Sequence, residues 1–356
     1  MQMNWMWAVA LVFSGVAPAW AQYPCPNASD IAPCTCDQTS SNELNMDCSS
    51  VRDAGELISI FKNSHFPFKS FNVFTAHECN VEFLSENNFG DVTFQEMYFN
   101  NCKIERVDRA AFSGMENTLR RLSFFYNKIV EFPFAAILNR MAKLEMLDLG
   151  GNAILELPDL DCYPSMTELH LYRNQISTLQ DFAFKNCPSL QKLFLGGNPM
   201  TSLETYAFHG LLNLVTLSFR ENSLGIIKGG SIVIPSADLE LLDFTDSTKL
   251  VTIEQCAFVD PPNCDPMFPP PMGVSGNADL LFTNGLIDEL DEDIFKSVLD
   301  KLYDGRGYLN LTGNPIKCDE TMAWVICGEV DYLDTLIGSC CCGGPNFQDL
   351  PGLYPC

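Results

Sequence analysis

The fold is decided by one recurring pattern, whose clearest copy is Leu190-Gln191-Lys192-Leu193-Phe194-Leu195-Gly196-Gly197-Asn198-Pro199-Met200. Apolar residues occupy its first, fourth, sixth and eleventh places, and an asparagine occupies the ninth. The same spacing recurs around Asn127, Asn152, Asn174 and Asn222, so that successive asparagines are separated by 25, 22, 24 and 24 residues. Five copies in one register indicate that each copy builds the same structural unit.

The pattern is the L-x-x-L-x-L-x-x-N-x-I/L template of leucine-rich repeats. Its L-x-L centre predicts a short strand with both leucines on one side, because side chains alternate along a strand. One repeat cannot bury that apolar edge, but stacked repeats can. We therefore predict an α/β repeat solenoid, namely a leucine-rich-repeat horseshoe with a concave parallel β-sheet and disulfide-bonded N- and C-terminal caps.

The ninth place of the template lies just past the strand, where the chain turns. An asparagine there has donors and an acceptor for backbone groups of its own turn and of the neighbouring coil. In a weaker upstream copy the ninth place holds Cys102, for which we expect a buried free thiol. We expect the same of Cys79, one coil earlier. The predicted structural ladder is Cys102, Asn127, Asn152, Asn174, Asn198, Asn222 and Asn314.

A second periodic feature is an alanine–phenylalanine pair whose phenylalanine follows three of the ladder positions by ten residues. These phenylalanines are Phe112, Phe184 and Phe208. We predict that they fill the coils from the convex side, so that many of the 26 phenylalanines are core residues.

Composition and cysteine positions predict four segments. Residues 1–21 form a signal peptide, with an apolar run at residues 5–16 and a small-x-small site at residues 19–21, although no Lys or Arg precedes the run. Residues 22–60 form an N-terminal cysteine cap, and residues 317–356 form a C-terminal one. Residues 61–316 form the solenoid, interrupted by an irregular Pro-rich loop at residues 260–276. No later stretch approaches about 18 consecutive apolar residues, so we expect a secreted, extracellular protein without a membrane span or lipid anchor.

Sixteen cysteines in an exported chain indicate disulfide bonds. Four lie near the start and six near the end, where caps must cover the exposed core of a solenoid. Between the caps, Cys162 and Cys187 lie one repeat apart and are candidates to pair across neighbouring coils. Cys256 and Cys264 are candidates to close a small loop, but the sequence does not fix connectivity.

The formal charge is −24, from 21 basic and 45 acidic residues. Such a surplus argues against nucleic acid and anionic membranes as partners. Two Asn-x-Ser/Thr sequons predict glycosylation at Asn27 and Asn310, wherever these residues are accessible.

Motifs for metal or cofactor binding are missing from the sequence. The four histidines do not have metal-ligand spacing, and phosphate-binding glycine loops are absent. Zinc at Cys34-x-Cys36 is the alternative to disulfides, and an oxidising compartment disfavours it. We therefore predict that the chain has no metal and no cofactor.

One trio resembles a hydrolase site. The template places Ser123, Asp148 and His170 outward on consecutive strands, about 4.8 Å apart. A catalytic triad needs its histidine between the serine and the acid. Here the aspartate is central, which puts Ser123 roughly 10 Å from His170. We therefore predict that the chain is not an enzyme.

The same face carries aromatic and arginine side chains, the residue types that dominate binding hot spots. Two glycine pairs at residues 150–151 and 196–197 follow their strands and leave shallow relief beside them. Arg120 and Phe125 lie nearby. The alternative is that such exposed side chains are scattered and inert. We predict that the concave face binds a ligand or partner through Tyr126, His170, Tyr172, Arg173, Phe194 and Arg220.

Segments outside the repeats resemble one family. They are I-A-P-C-T-C at residues 31–36, L-N-M-D-C-S-S-V at residues 44–51, F-P-F-K-S-F at residues 66–71 and Ala323-Trp324 in the C-terminal cap. Together they resemble the non-catalytic subunits of the Oplophorus luciferase (oplophorus-luciferin 2-monooxygenase) type, over nearly all of the mature chain. The resemblance implies a secreted, non-enzymatic accessory protein whose partner is another secreted protein, for example a small catalytic subunit. An innate-immune or adhesion-type protein that binds microbial or glycan ligands is the alternative.

The resemblance also implies disulfide pairings. In the N-terminal cap it implies Cys25–Cys36 and Cys34–Cys48. In the C-terminal cap it implies Cys318–Cys341, but Glu320 stands where the family has a further cysteine. Cys356 is left without its usual partner, and the candidates to replace that partner are Cys327, Cys340 and Cys342.

Overall fold

The computed structural model describes residues 25–258, 274–328 and 330–352. Within them the chain coils around one long apolar core. The strands are β1 Thr35–Gln38, β2 Leu44–Asp47, β3 Ser70–His77, β4 Phe83–Leu84, β5 Thr93–Asn100, β6 Arg106–Val107, β7 Arg121–Ser123, β8 Met146–Asp148, β9 Glu168–His170, β10 Lys192–Phe194, β11 Ser202–Leu203, β12 Thr216–Ser218, β13 Ile226–Ile227, β14 Leu241–Asp243, β15 Thr252–Ile253, β16 Asp279–Leu281, β17 Leu309–Asn310 and β18 Leu336–Ile337. The helices are α1 Ala28–Ile31, α2 Ala54–Asn63, α3 Phe134–Leu138, α4 Glu292–Asp304 and α5 Ala323–Ile326.

Thirteen of these strands form one sheet, in the order β1-β2-β3-β5-β7-β8-β9-β10-β12-β14-β16-β17-β18. Only β1 and β2 are antiparallel within it, and all other neighbours are parallel. Two lateral sheets, β4-β6 and β11-β13-β15, follow other edges of the coils. The predicted horseshoe with a concave parallel sheet is confirmed.

Strand register follows the repeat, one coil per strand. The first leucine of each L-x-L pairs with its equivalent in the next coil, as Leu147 does with Leu122 and Leu169. All three side chains are fully buried. Stacking therefore extends one apolar row through every coil, and each added coil buries the open edge of the last.

Phenylalanines fill much of the core. Phe112, Phe184 and Phe208 are fully buried, as the alanine–phenylalanine pairs predicted. Ring contacts connect neighbouring coils, with centroids 5.4 Å apart between Phe99 and Phe124, 5.3 Å between Phe208 and Phe219 and 5.1 Å between Phe219 and Phe244. Since large aromatic rings bury the most apolar area per residue, these contacts stabilise the stack strongly.

The ladder asparagines join neighbouring coils through the backbone. Asn174 Nδ2 donates to Leu171 O in its own turn at 3.0 Å and to Leu149 O in the preceding coil at 2.9 Å. Its Oδ1 accepts from Ile154 N at 3.0 Å. Equivalent three-way contacts are made by Asn127, Asn152, Asn198 and Asn314. Asn222 keeps both donor contacts, but its buried Oδ1 has no hydrogen-bond partner within the described chain.

The residue just before each ladder position takes a left-handed backbone conformation. Glycine does so in three coils, at Gly151, Gly197 and Gly313, with φ of 68°, 67° and 80°. Tyr126 and Arg173 adopt the same conformation, each with φ of 52°. A positive φ is uncommon for residues with a β-carbon, so the stacked coils hold these two side chains in a strained backbone geometry.

Disulfides lie at both ends and between coils. The N-terminal cap contains Cys25–Cys36 and Cys34–Cys48. Cys162 pairs with Cys187 across neighbouring coils.

The expectation of free thiols at Cys79 and Cys102 is wrong, because these two residues form a disulfide. They stand one coil apart with their Cα atoms 4.5 Å apart, which is within the range for such a bond. At this point of the ladder a covalent bond joins the coils where asparagine hydrogen bonds join them elsewhere.

The pairing of Cys318 with Cys341 is also wrong, because Cys318 bonds to Cys340. The buried Cys340 lies 5.5 Å from Cys318, measured between Cα atoms. Cys341 and Cys342 lie in the exposed turn that follows and are free. Burial therefore selects among three consecutive cysteines that the sequence leaves equivalent.

Some predictions fall outside the described residues. These are the signal peptide, most of the Pro-rich loop at residues 260–276, and the roles of Cys264 and Cys356. Cys256 and Cys327 are disulfide-bonded. One sheet continues through the cap strands and the repeats, so the segment bounds proposed from sequence stay predictions. None of the helices in the described segments has the length and apolar content needed to cross a bilayer.

Candidate functional site

The outward side of the sheet carries a row with one residue from each coil. Strand register aligns Tyr98, Ser123, Asp148, His170, Phe194, Ser218 and Asp243 in this row, which confirms the predicted order of Ser123, Asp148 and His170. The inward neighbours in the strands are buried leucines, Met97 and Phe99, so the alternation of the strand forces this row outward.

Just beyond the strands, bulky residues alternate with glycine pairs from coil to coil. The successive pairs are Phe125-Tyr126, Gly150-Gly151, Tyr172-Arg173, Gly196-Gly197 and Arg220-Glu221. Each bulky pair therefore lies beside a glycine pair of the neighbouring coil, which has no side chains at these two places.

The first glycine pair supports aromatic rings. A β-carbon on Gly150 would lie 2.5 Å from the Tyr172 ring, and one on Gly151 would lie 2.7 Å from the Tyr126 ring. Such distances are far inside normal van der Waals contact. The glycines are therefore required for the two rings to lie over this coil.

The aromatic side chains touch one another in sequence across four coils. Ring centroids are 4.3 Å apart for Tyr126 and Phe125, 5.9 Å for Phe125 and Tyr172, 5.9 Å for Tyr172 and His170, and 4.7 Å for His170 and Phe194. We call these five residues the aromatic stripe. Tyr126 is 40% exposed, and the other four are half-buried.

Two exposed arginines flank the stripe. Arg173 donates from Nη1 to the Tyr126 hydroxyl at 2.8 Å, and its Nη2 lies 3.7 Å from Glu221 Oε2. Arg220 lies 3.9 Å from Asp243 and 3.6 Å from Asp246, measured from guanidinium nitrogen to carboxylate oxygen. These ion pairs are long and both arginine side chains are more than half exposed, so their guanidinium groups can still donate to a partner.

A cleft of about 250 Å³ lies over the second glycine pair. It is lined by Tyr172, Arg173, Phe194, Gly196, Gly197, Ser218, Arg220 and Glu221. Aromatic walls, two guanidinium groups and a bare backbone floor give it both apolar surface and hydrogen-bond donors.

All six residues predicted for the ligand face lie together in this region, and their role in binding stays a prediction. The predicted set lacks Phe125, although this is the ring that connects Tyr126 with Tyr172. It holds the same template place as Tyr172 and Arg220. The alternation of bulky and glycine pairs is the signal that identifies it.

Acidic groups lie beside the stripe. Burial raises the pKa of Asp148, although the Gly150 amide, the charge of His170 and the Ser123 hydroxyl act in the opposite direction. Burial also acts to raise the pKa of Glu168, but the hydrogen bond and charge of His170 and the charge of Lys192 lower it overall. The pKa of Tyr172 is raised to about 12, first by burial and then by the charge of Asp148.

The serine, aspartate and histidine of the row do not form a triad. Asp148 lies on the strand between the other two, as predicted. Ser123 Oγ donates to Asn100 Oδ1 at 2.8 Å, and His170 Nε2 lies 2.7 Å from Glu168 Oε1. The histidine therefore faces a carboxylate of its own strand, and the arrangement lacks the order that nucleophilic catalysis requires.

The repeats match a family model described as "Leucine rich repeat" over residues 164–224. Together with the stacked parallel strands, this match defines the class of the molecule: the chain is a leucine-rich-repeat protein.

One relative is similar over almost the whole chain. It is the Oplophorus-luciferin 2-monooxygenase non-catalytic subunit of Oplophorus gracilirostris, with 26% identity over 329 residues, which make up 92% of this chain and 86% of the relative. The resemblance predicted from the cap segments is confirmed.

Solved structures share the fold. A chain of the octameric complex of Latrophilin 3 (Lec, Olf), Unc5D (Ig, Ig2, TSP1) and FLRT2 (LRR) aligns with a TM-score of 0.57 and 19% identity, over 90% of this chain and 94% of that chain. A leucine-rich-repeat protein of Leptospira interrogans aligns with a TM-score of 0.51 and 20% identity, over 76% of this chain and 60% of that chain. At these identities the likeness concerns the fold alone.

Proposed function

We propose that this chain is a secreted, non-enzymatic binding protein that acts as the accessory subunit of another secreted protein and contacts it through the aromatic stripe. The observation that carries the proposal is the unbroken series of ring contacts from Tyr126 to Phe194 on the outward side of the sheet. The rings are already held by packing, so they lose little side-chain entropy when a partner covers them.

Charge distribution supports a protein partner. The arginines beside the stripe offer donors at its edge, and the exposed carboxylates of Glu221 and Asp246 lie next to them. An aromatic centre with a charged rim is the usual arrangement of a protein interface. The name of the Oplophorus relative, a non-catalytic subunit, supports the same assignment.

A second candidate function is recognition of microbial or glycan ligands, as in an innate-immune or adhesion-type protein. The observation that favours it is the Tyr126 ring, whose hydroxyl accepts from Arg173 at 2.8 Å beside the exposed ring face. Polar groups next to a flat ring suit sugar hydroxyls as well as protein side chains.

The deciding experiment is affinity capture from the native secretion with three immobilised proteins: the wild type, Y172A/F194A and the control Y163A/Y303A. Tyr163 and Tyr303 are 38% and 51% exposed and lie outside the sheet strands, so the control loses two rings elsewhere. Wild type and control should retain one protein in stoichiometric amount, and Y172A/F194A should retain it at least tenfold more weakly. Hot-spot truncations cost about 2 kcal/mol or more each, and about 1.4 kcal/mol is tenfold in affinity.

Equal retention by Y172A/F194A, with an unchanged unfolding temperature, would contradict the proposal. Retention of a microbial polysaccharide in place of a protein would favour the second function. Consumption of luciferin by the isolated chain would contradict the non-enzymatic part.

A further inference from the structure

The sequon Asn310-Leu311-Thr312 lies on the concave sheet. Leu309 and Leu311 are fully buried, so strand alternation turns the Asn310 side chain outward. Asn310 continues the outward row beyond Asp243, with Leu281 on one neighbouring strand and Ile337 on the other.

The Asn310 amide is arranged differently from that of the other sequon. Its Oδ1 accepts from Thr312 N at 3.0 Å, and within the described chain its Nδ2 has no acceptor. In the Asn27 sequon, Nδ2 donates to Asp30 Oδ2 at 3.2 Å. A sugar on Asn310 Nδ2 would therefore leave every hydrogen bond of that side chain in place.

Apolar side chains flank the sequon. Ile337 is 40% exposed and Leu281 is half-buried, although both occupy the outward row. These are the apolar side chains that flank Asn310 on the two neighbouring strands.

We propose that Asn310 carries an N-linked glycan, and that this glycan covers Leu281 and Ile337 at the C-terminal end of the concave sheet. The proposal rests on the proposed function in one respect, since the chain must be secreted to meet the transferase. The donor is a lipid-pyrophosphate-linked oligosaccharide. Nδ2 loses one proton and bonds the anomeric carbon of the sugar, while the bond from that carbon to the pyrophosphate breaks and the lipid pyrophosphate leaves with its electron pair.

The location separates the glycan from the aromatic stripe. From Phe194 to Asn310 the outward row crosses four strand intervals, through Ser218, Asp243 and Leu281. At about 4.8 Å per interval this is roughly 19 Å. The glycan therefore limits the partner surface to the coils before it and leaves the stripe open.

The first test is made on the full-length chain secreted from insect cells, in an N27Q background so that any N-glycan belongs to Asn310. T312A removes the sequon and T312S preserves it, and neither changes Asn310 itself. N27Q and N27Q/T312S should exceed the polypeptide mass by one glycan that an N-glycosidase releases, and N27Q/T312A should have the polypeptide mass. An unmodified N27Q protein overturns the proposal.

Wild-type protein gives the same answer without any variant. Enzymatic release in H₂¹⁸O converts a glycosylated Asn310 to aspartate carrying one ¹⁸O, and peptide mapping detects it. An Asn310 peptide that stays unlabelled overturns the proposal equally.

Coverage is tested by hydroxyl-radical footprinting of the glycosylated and the enzymatically deglycosylated protein. Oxidation of Leu281 and Ile337 should rise at least twofold on deglycosylation, while that of Tyr126 and Tyr172 stays the same. Unchanged oxidation of Ile337, or a matching rise at Tyr126, overturns the proposed location of the glycan. Both readouts use the purified chain alone, so their failure is distinct from a failure to capture a partner.

Discussion

The Tyr172 ring lies over Gly150 of the preceding coil so closely that a β-carbon on the glycine would come within 2.5 Å of it. Tyr172 is also the ring that contacts both Phe125 and His170, 5.9 Å away in each case. The position of the central ring of the stripe therefore depends on the absence of one side chain in the neighbouring coil.

Replacing Gly150 with alanine should move the Tyr172 ring and leave the fold nearly intact. Gly150 is not among the residues with positive φ, so alanine fits its backbone, and the atoms it meets are those of a side chain. We expect the free energy of unfolding of G150A to lie within about 1 kcal/mol of the wild-type value. We expect the variant to retain the captured partner several-fold more weakly. Calorimetry and the capture assay measure the two effects. A variant that binds like the wild type would show that the ring position is unimportant.

Gly151 allows the same question to be asked of Tyr126. G151A combines a left-handed backbone, with φ of 68°, and a contact of 2.7 Å with the Tyr126 ring. Gly114 is a matched control, because its φ is 92° and a β-carbon there meets nothing within 4 Å. Both variants should lose about 1 kcal/mol of stability from backbone strain, as chemical denaturation would measure. Only G151A should weaken partner retention, and equal binding losses in both would assign the effect to strain alone.

Much of this surface follows from the repeat pattern. Because the template fixes which residue of each strand points outward, the neighbours of Asp148 in the row, Ser123 and His170, are predictable without coordinates. The same alternation places Phe194 and the buried leucines on opposite sides of the sheet.

Contacts that depend on three-dimensional spacing are not predictable in this way. Cys79 and Cys102 occupy the places where other coils have the ladder asparagine. Only their Cα separation of 4.5 Å reveals that they form a disulfide bond. Among three consecutive cysteines, the burial of Cys340 decides which one pairs with Cys318. The role of Gly150 as a support for Tyr172 is likewise a matter of ring packing between coils.

The ladder asparagines should differ in how much they stabilise the stack. N174A leaves the buried Ile154 N without its partner, while Leu149 O and Leu171 O keep the bonds donated by Asn152 Nδ2 and Asn198 Nδ2. An unpaired buried donor costs about 1–3 kcal/mol, and each of the two other lost hydrogen bonds adds about 0.5–1 kcal/mol, so we expect a loss of about 2–4 kcal/mol.

Asn222 provides the matched comparison, because it is also buried but its Oδ1 accepts no hydrogen bond within the described chain. N222A should therefore cost about 1 kcal/mol less than N174A. Urea unfolding followed by circular dichroism, with the disulfides intact, measures both. Equal losses would mean that the acceptor contact adds nothing to the stack.

Asp148 should make stability depend on pH. Burial is the main cause of its raised pKa, so the folded state binds the proton more tightly than the unfolded state does. The destabilisation of the fold by the ionised Asp148 carboxylate is absent below the ordinary aspartate pKa of about 3.9. That effect grows as pH rises toward the raised value and is fully present above it.

Replacing Asp148 with asparagine should therefore raise the unfolding temperature at pH 7 and flatten its decline above about pH 4. The new amide oxygen can still accept from Gly150 N, which lies 2.8 Å from Asp148 Oδ1. D148A is the control, since it removes the charge and this acceptor together, and it should be less stable than D148N at every pH. Thermal unfolding between pH 4 and pH 8 compares the three proteins. A D148N protein less stable than the wild type at pH 7 would show that the ionised carboxylate, through Gly150, Ser123 and His170, stabilises the fold in spite of its burial.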